Sequence, residues 1–268
     1  MINIVELIEK EMLCGYSEGN ASSKVCQDLM LFALSKSSIK DNVTIKGGVV
    51  MRSKSKNIRR ATQDLDIDMI RYSISNDALD SVIKQMNCYD DLKIKRVDKI
   101  QDLKQGEYRG KRVYIQIKDT FGHTLNSKID IGVHKELQIE QEEFCFDISF
   151  NNEGVSLMIN SNEQMLVEKL KSLLKLGPFS TRYKDVFDMY YLIHHIKIDK
   201  LLAYITISIF DDKNMREKSI EDIIKRLQFT FGNRMYLSNI KTSKKNWIEE
   251  NIEDVLIKLI SFFELLEY

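Results

Sequence analysis

The sequence predicts an α+β fold in two parts, an α/β N-terminal domain followed by a helical C-terminal domain. Two observations predict it. Up to about residue 160, segments with helical apolar spacing are interspersed with short alternating or β-rich segments. After Ser161 every periodic segment reads as helix. The boundary therefore falls near 155–162. The 268 residues suit one large domain or two modest ones, and at 43% hydrophobic they can bury a real core.

Taken in order, residues 4–14 and 22–37 carry apolar positions at helical spacing, with Val25, Leu29, Phe32 and Ala33 on one stripe. Strand-like segments follow at 43–46, 64–71, 92–98, 108–119 and 126–133. Tyr114, Gln116 and Lys118 alternate with Val113, Ile115 and Ile117, the period of a half-buried strand. The seven-residue link TFGHTLN, with Gly122, reads as the turn to the next strand. Helices are expected at 162–176, 182–196, 198–209, 215–229 and 245–266. Ser161 and Gln164 resemble a capping box at the start of the first, and Gly177-Pro178 stops it. Pro178 is the single proline, so long helices are permitted.

Composition narrows the function classes. Forty Lys and Arg balance forty Asp and Glu, which excludes a generally polycationic nucleic-acid coat but not a local phosphate-binding patch. No stretch approaches the ~18 apolar residues of a membrane span, and the N-terminus lacks a basic region followed by an apolar run. Cys14, Cys26, Cys88 and Cys145 are scattered, with only the loosely placed His134 near ligand spacing. That pattern suits free thiols in the cytoplasm and argues against a disulfide framework or a zinc site.

The most informative segment is Asp64-Leu-Asp66-Ile-Asp68. Leu65, Ile67 and Met69 point one way and the three acids the other. Acids two residues apart on a strand lie roughly 6–7 Å apart and repel each other. A divalent cation would relieve that repulsion, and hard oxygen ligands favour Mg²⁺ or Mn²⁺. A solvated strand face at a sheet edge is the alternative. Asp130, between Ile129 and Ile131, can join the same face if its strand pairs beside the first. Carboxylates so arranged around metal make a phosphoryl-transfer site. Alternatively, Asp130 pairs with Lys128 or Lys118 across the hairpin.

Residues 42–63 contain no acid and six bases: Lys46, Arg52, Lys54, Lys56, Arg59 and Arg60. Within them a strand runs into Gly47-Gly48 and a short helical turn, 16 residues ahead of Asp64. Paired glycines let backbone N–H groups approach a phosphate, and a helix N-terminus favours the anion. A solvated basic loop is the other reading. Downstream, Leu166, Leu170, Leu173 and Leu174 form one helix stripe. Lys169 stands roughly 60° from Leu166, so its stem can pack while its ammonium reaches towards the sheet. A snorkelling surface lysine is the alternative. Asp185 and Asp188 share a face of the next helix, either stitching it by ion pairs or orienting Lys169 or an acceptor. His194, His195, Phe187, Met189 and Tyr190 read as structural.

In order, Lys46-Gly47-Gly48, Arg60-Ala-Thr62-Gln-Asp64-Leu-Asp66, Ile129-Asp130-Ile131-Gly132, Glu168-Lys169-Leu170 and Arg182-Tyr183-Lys184-Asp185 resemble the AbiEii/AbiGii toxin family of nucleotidyltransferases, within the DNA polymerase β-like superfamily. The resemblance runs from about 44 to 195. It implies a nucleotidyltransferase-like mixed β-sheet flanked by helices over residues 1–158 and a helical domain over 159–268. It implies Asp64, Asp66 and Asp130 as metal ligands, with Lys46, Gly47, Gly48, Arg60 and Thr62 around the nucleotide. Lys169 and Asp185 match the family's later catalytic lysine and aspartate, with Asp188 competing for the latter role. The superfamily often has Gly-Ser where this chain has Gly47-Gly48; Asp68 is an extra acid, and residues 200–268 match no motif.

The expected activity is Mg²⁺- or Mn²⁺-dependent transfer of a nucleoside monophosphate from an NTP to an acceptor hydroxyl. By resemblance the acceptor is RNA, such as a tRNA 3′ end, and the biological role is that of a toxin held in check by an antitoxin protein. A protein or small-molecule hydroxyl as acceptor, and a non-catalytic binding module of the same fold, are the alternatives.

Overall fold

The structure is a computed structural model that describes residues 1–105, 108–134 and 141–267. The chain divides into two compact units, Met1–Asn160 and Ser161–Tyr268. No helix among the described residues is long and apolar enough to cross a membrane.

In the first unit, α1 (Ile4–Leu13) and α2 (Glu18–Lys36) precede β1 (Val43–Lys46), which runs directly into α3 (Gly47–Ser55). A short 3₁₀ turn, Ile58–Arg60, leads to β2 (Leu65–Met69), then α4 (Asn76–Gln85) and β3 (Leu92–Arg96). The remaining strands are β4 (Gln101–Gln105), β5 (Tyr108–Asp119), β6 (Thr124–Val133), β7 (Glu142–Ile148) and β8 (Asn151–Ile159). They form a mixed sheet ordered β3-β5-β6-β2-β1-β8-β7, with β4 added on β5. β2 is parallel to β6 and antiparallel to β1, while β1 is parallel to β8. The apolar positions of the central strands are sealed: Val43, Ile45, Val113, Ile115 and Ile117 are fully buried. Each such side chain contributes about 1.5–3 kcal/mol. This registration forces the alternate, polar positions of β2, β6, β5 and β1 onto one common face.

Several details differ from the expectation. The link between β5 and β6 has four residues, 120–123, not seven, because Asp119 closes a tight turn by accepting from the His123 backbone N–H (2.8 Å) and pairing with its ring (2.9 Å). The β7–β8 hairpin, α4 and β4 are additions to the elements that the sequence pattern predicts. β7 and β8 are held through a non-local parallel pairing of β8 with β1, which no local pattern announces.

The second unit is helical. It holds α5 (Asn162–Leu176), α6 (Tyr183–Leu192), α7 (Ile198–Ile205) with a π-helical extension Thr206–Phe210, α8 (Ile220–Phe231), α9 (Arg234–Thr242) and α10 (Ile252–Glu264). Ser161 caps α5 by accepting from the Gln164 N–H at 3.2 Å, and Gly177 ends it with φ +54°. α9 was not expected as a separate helix; Asn233 begins it by accepting from the Tyr236 N–H (3.0 Å). Phe187, Met189 and Tyr190 are core, as expected. The cysteines are all free thiols. Burial pushes the Cys26 thiol up to about 12, so that sulfur is inert.

Candidate active site

β2 and β6 pair in register with Asp66 opposite Asp130. Their carboxylates therefore leave the same face of neighbouring strands, about 5 Å apart at the backbone. The row continues on both sides. Lys46 of β1 stands opposite Asp66, and Arg112 of β5 stands opposite Asp130. Across four strands the order is Arg112, Asp130, Asp66, Lys46: two acids flanked by two cations.

Arg112 grips Asp130 with two parallel hydrogen bonds, each 2.7 Å. The lone-acid alternative thus had the right kind of partner but the wrong residue, since neither Lys128 nor Lys118 is the cation in that pair. Lys128 instead meets Asp64 at 3.1 Å, just ahead of β2. Lys46 reaches diagonally to Asp68 at 2.7 Å, which gives the extra acid a structural partner. Asp68 is buried, whereas the Asp64 side chain is 39% exposed.

The glycines explain how α3 joins this row. Gly47 is the first residue of α3 and adopts φ +67°, where side chains are disfavoured. A Cβ there would lie 2.4 Å from Asp66 Oδ2, and one on Gly48 would lie 2.4 Å from Thr62 Oγ1. The first turn of α3 is thus seated against the Asp66 carboxylate on one side and the Thr62 hydroxyl on the other. Its first-turn N–H groups and positive dipole end lie beside the acidic pair. Arg60 is buried in the turn that follows α3. Gly47→Ala is expected to combine a backbone strain of about 1–2 kcal/mol with a collision against Asp66. Calorimetric titration with Mn²⁺ and NTP should show at least a tenfold loss of affinity with the fold retained by circular dichroism.

The donor set suits Mg²⁺ or Mn²⁺. Among the described residues no three His, Cys, Asp or Glu side chains lie where they could hold one metal ion together, so the expected trio Asp64, Asp66 and Asp130 is not gathered around a single point. Mg²⁺ is commonly held by one or two carboxylates, completed by substrate phosphates and water. Asp66 and Asp130, facing each other in register, are the two carboxylates placed for such a half-site, with Asp130 held by Arg112 and Asp64 held by Lys128 just ahead of β2.

In the second unit, Lys169 and Asp185 also meet. Lys169 on α5 is buried, and its ammonium lies between Asp185 Oδ1 (2.7 Å) and Asp188 Oδ2 (2.8 Å) of α6. Asp185 accepts in addition from Arg182 Nε at 2.6 Å, and Asp188 accepts from Trp247 Nε1 at 3.0 Å. Burial works to raise the Asp185 pKa, but Lys169 and Arg182 outweigh it and hold the carboxyl below its ordinary range. The two aspartates that compete in sequence thus share one lysine. His195 stacks on Tyr191 and His194 lies edge-on to Tyr190.

Sequence reasoning missed Arg112 as the partner of Asp130. The usable signal was its place at the head of the polar series Arg112, Tyr114, Gln116, Lys118 on β5.

A family model for nucleotidyl transferase AbiEii toxins of type IV toxin–antitoxin systems matches residues 29–253. The search of curated proteins returned no match. The matched span contains the glycine turn, the in-register acids and the Lys169–Asp185 pair, and on that coverage the chain belongs to the AbiEii family of nucleotidyl transferase toxins.

Proposed function

We propose that this chain is a Mg²⁺-dependent toxin that transfers a nucleoside monophosphate from an NTP to a hydroxyl of RNA, with a tRNA 3′ end as the acceptor. It would act in the cytoplasm and be countered by a cognate antitoxin protein. The observation that carries the reading is the Asp66–Asp130 pair in register beside the N-terminus of α3.

In the reaction the acceptor oxygen bonds to the α-phosphorus of the NTP, the bond from that phosphorus to the bridging oxygen of the β-phosphate breaks, and pyrophosphate leaves. Asp64, Asp66 and Asp130 would hold the metal, and one of these carboxylates accepts the hydroxyl proton. The divalent ion, when bound, eases deprotonation of the acceptor and neutralises charge on the leaving group. Gly47 and Gly48 offer backbone N–H groups to the phosphates, with Lys46, Arg60 and Thr62 around them. Lys46 would exchange its contact with Asp68 for phosphate oxygen. Lys169, held between Asp185 and Asp188 in the second unit, is the residue that matches the family's later catalytic lysine.

The test is incubation of the purified chain with each labelled NTP, Mg²⁺ or Mn²⁺, and total RNA. Label is expected in a discrete RNA band of tRNA size. Label carried by protein or a small molecule would overturn the RNA assignment, and no transfer with any NTP would overturn the enzymatic one.

A further inference from the structure

The two halves of the candidate nucleotide site, the start of α3 and the entry to β2, are far from adjacent in sequence. One side chain on α2 reaches the entry to β2 directly and α3 through Arg52. Gln27 is 1% exposed. Its amide nitrogen donates to Thr62 O at 2.9 Å and Asp64 O at 3.4 Å. Its amide oxygen accepts from the Arg52 guanidinium of α3. Arg52 is 5% exposed and also faces Asp28 at 3.5 Å. Asp28 in turn is held by Lys24 Nζ (2.7 Å) and by the backbone N–H (3.0 Å) and hydroxyl (2.6 Å) of Ser149.

The chemistry leaves Gln27 one orientation. Two carbonyl oxygens need donors, and a guanidinium needs an acceptor; only the amide group meets both demands at once. The main-chain segment it holds carries Thr62, whose hydroxyl packs on Gly48, and Asp64, which leads into Asp66.

We infer that Gln27, braced by Arg52, is a positioning residue that sets the Thr62–Asp64 segment against the first turn of α3 and so fixes the spacing between the phosphate-binding and carboxylate halves of the site. The inference rests on the proposed nucleotide site. Gln27 lies outside the span 29–253 that matches the family. A misplacement of about 1 Å in such a site can cost on the order of 10²-fold in rate.

The test uses the full chain with Gln27→Met, Gln27→Glu and Arg52→Met, beside Leu79→Ala as a buried control on α4. Two readouts are taken: amide hydrogen exchange over residues 61–66, and calorimetric titration with Mn²⁺ plus each of the four NTPs. Gln27→Met should speed exchange across 61–66 at least tenfold and weaken Mn²⁺–NTP binding at least tenfold. Gln27→Glu should be worse, because neither variant can donate to the two carbonyls and the carboxylate also sets a negative charge against both oxygens. Leu79→Ala should lower the melting temperature at least as much yet leave binding within twofold. Unchanged exchange over 61–66 in Gln27→Met overturns the positioning role, whatever the nucleotide data. Faster exchange in a protein whose wild type binds no NTP overturns the proposed function instead. Equal loss of affinity in Leu79→Ala reduces Gln27 to a packing residue and overturns the inference.

Discussion

Asp66→Asn is expected to cut nucleotidyl transfer by about 10²–10³-fold while leaving the protein as stable as before or slightly more so. Asparagine keeps the shape but replaces a carboxylate oxygen with an N–H₂ group. It removes the charge of a proposed metal ligand and sets a donor where an anion faces the N-terminus of α3. The stability side follows from the register. Asp66 and Asp130 are directly paired acids whose repulsion costs free energy and is offset only in part by the Arg112 guanidinium on Asp130. Neutralising one should relieve that cost, as expected where residues are kept for function at the expense of stability. The measurement pairs label transfer with a thermal melt. Transfer at the wild-type rate would show that Asp66 holds no reacting group, and a large drop in melting temperature would mark it as a structural acid.

The legible part of this site was the part written in local periodicity. The acids at 66 and 68 share a face of β2 because a strand alternates every two residues, and Asp64 stands just ahead of that strand. Asp130 was legible as an acid set between isoleucines, but its cation was not. The choice among Arg112, Lys118 and Lys128 depends on hairpin register. A four-residue link at 120–123 sets Lys118 opposite Thr124 and Arg112 opposite Asp130. Gly47-Gly48 announced a close approach without naming what approaches. The answer, Asp66 and Thr62, needed the antiparallel return of β2 beside β1. Gln27 was invisible for the same reason. Its neighbours in sequence mark an ordinary helix, and its role depends on α2 closing over a turn some 35 residues away. In the helical unit, caps located α5 well, whereas the separate α9 was hidden between stretches of similar helical spacing.

Lys169→Met is expected to destabilise the protein by about 3 kcal/mol or more, because it removes an ammonium from between two buried carboxylates. Loss of activity in that variant alone would therefore be ambiguous between an unfolded site and a missing catalytic charge. The double variant Lys169→Met/Asp188→Asn separates them. The amide introduced at position 188 can still accept from the Trp247 indole N–H through its oxygen, and Asp185 keeps Arg182, so the buried charge is rebalanced. Stability measured by urea unfolding should recover by at least half relative to the single variant, since removing both members of a buried pair costs far less than removing one. Label transfer, corrected for the folded fraction, should stay at the level of Lys169→Met. If transfer returns together with stability, Lys169 serves only to stitch α5 to α6. If stability returns alone, the positive charge itself is required, and the Asp185 carboxylate, held ionised by its two cations, orients it.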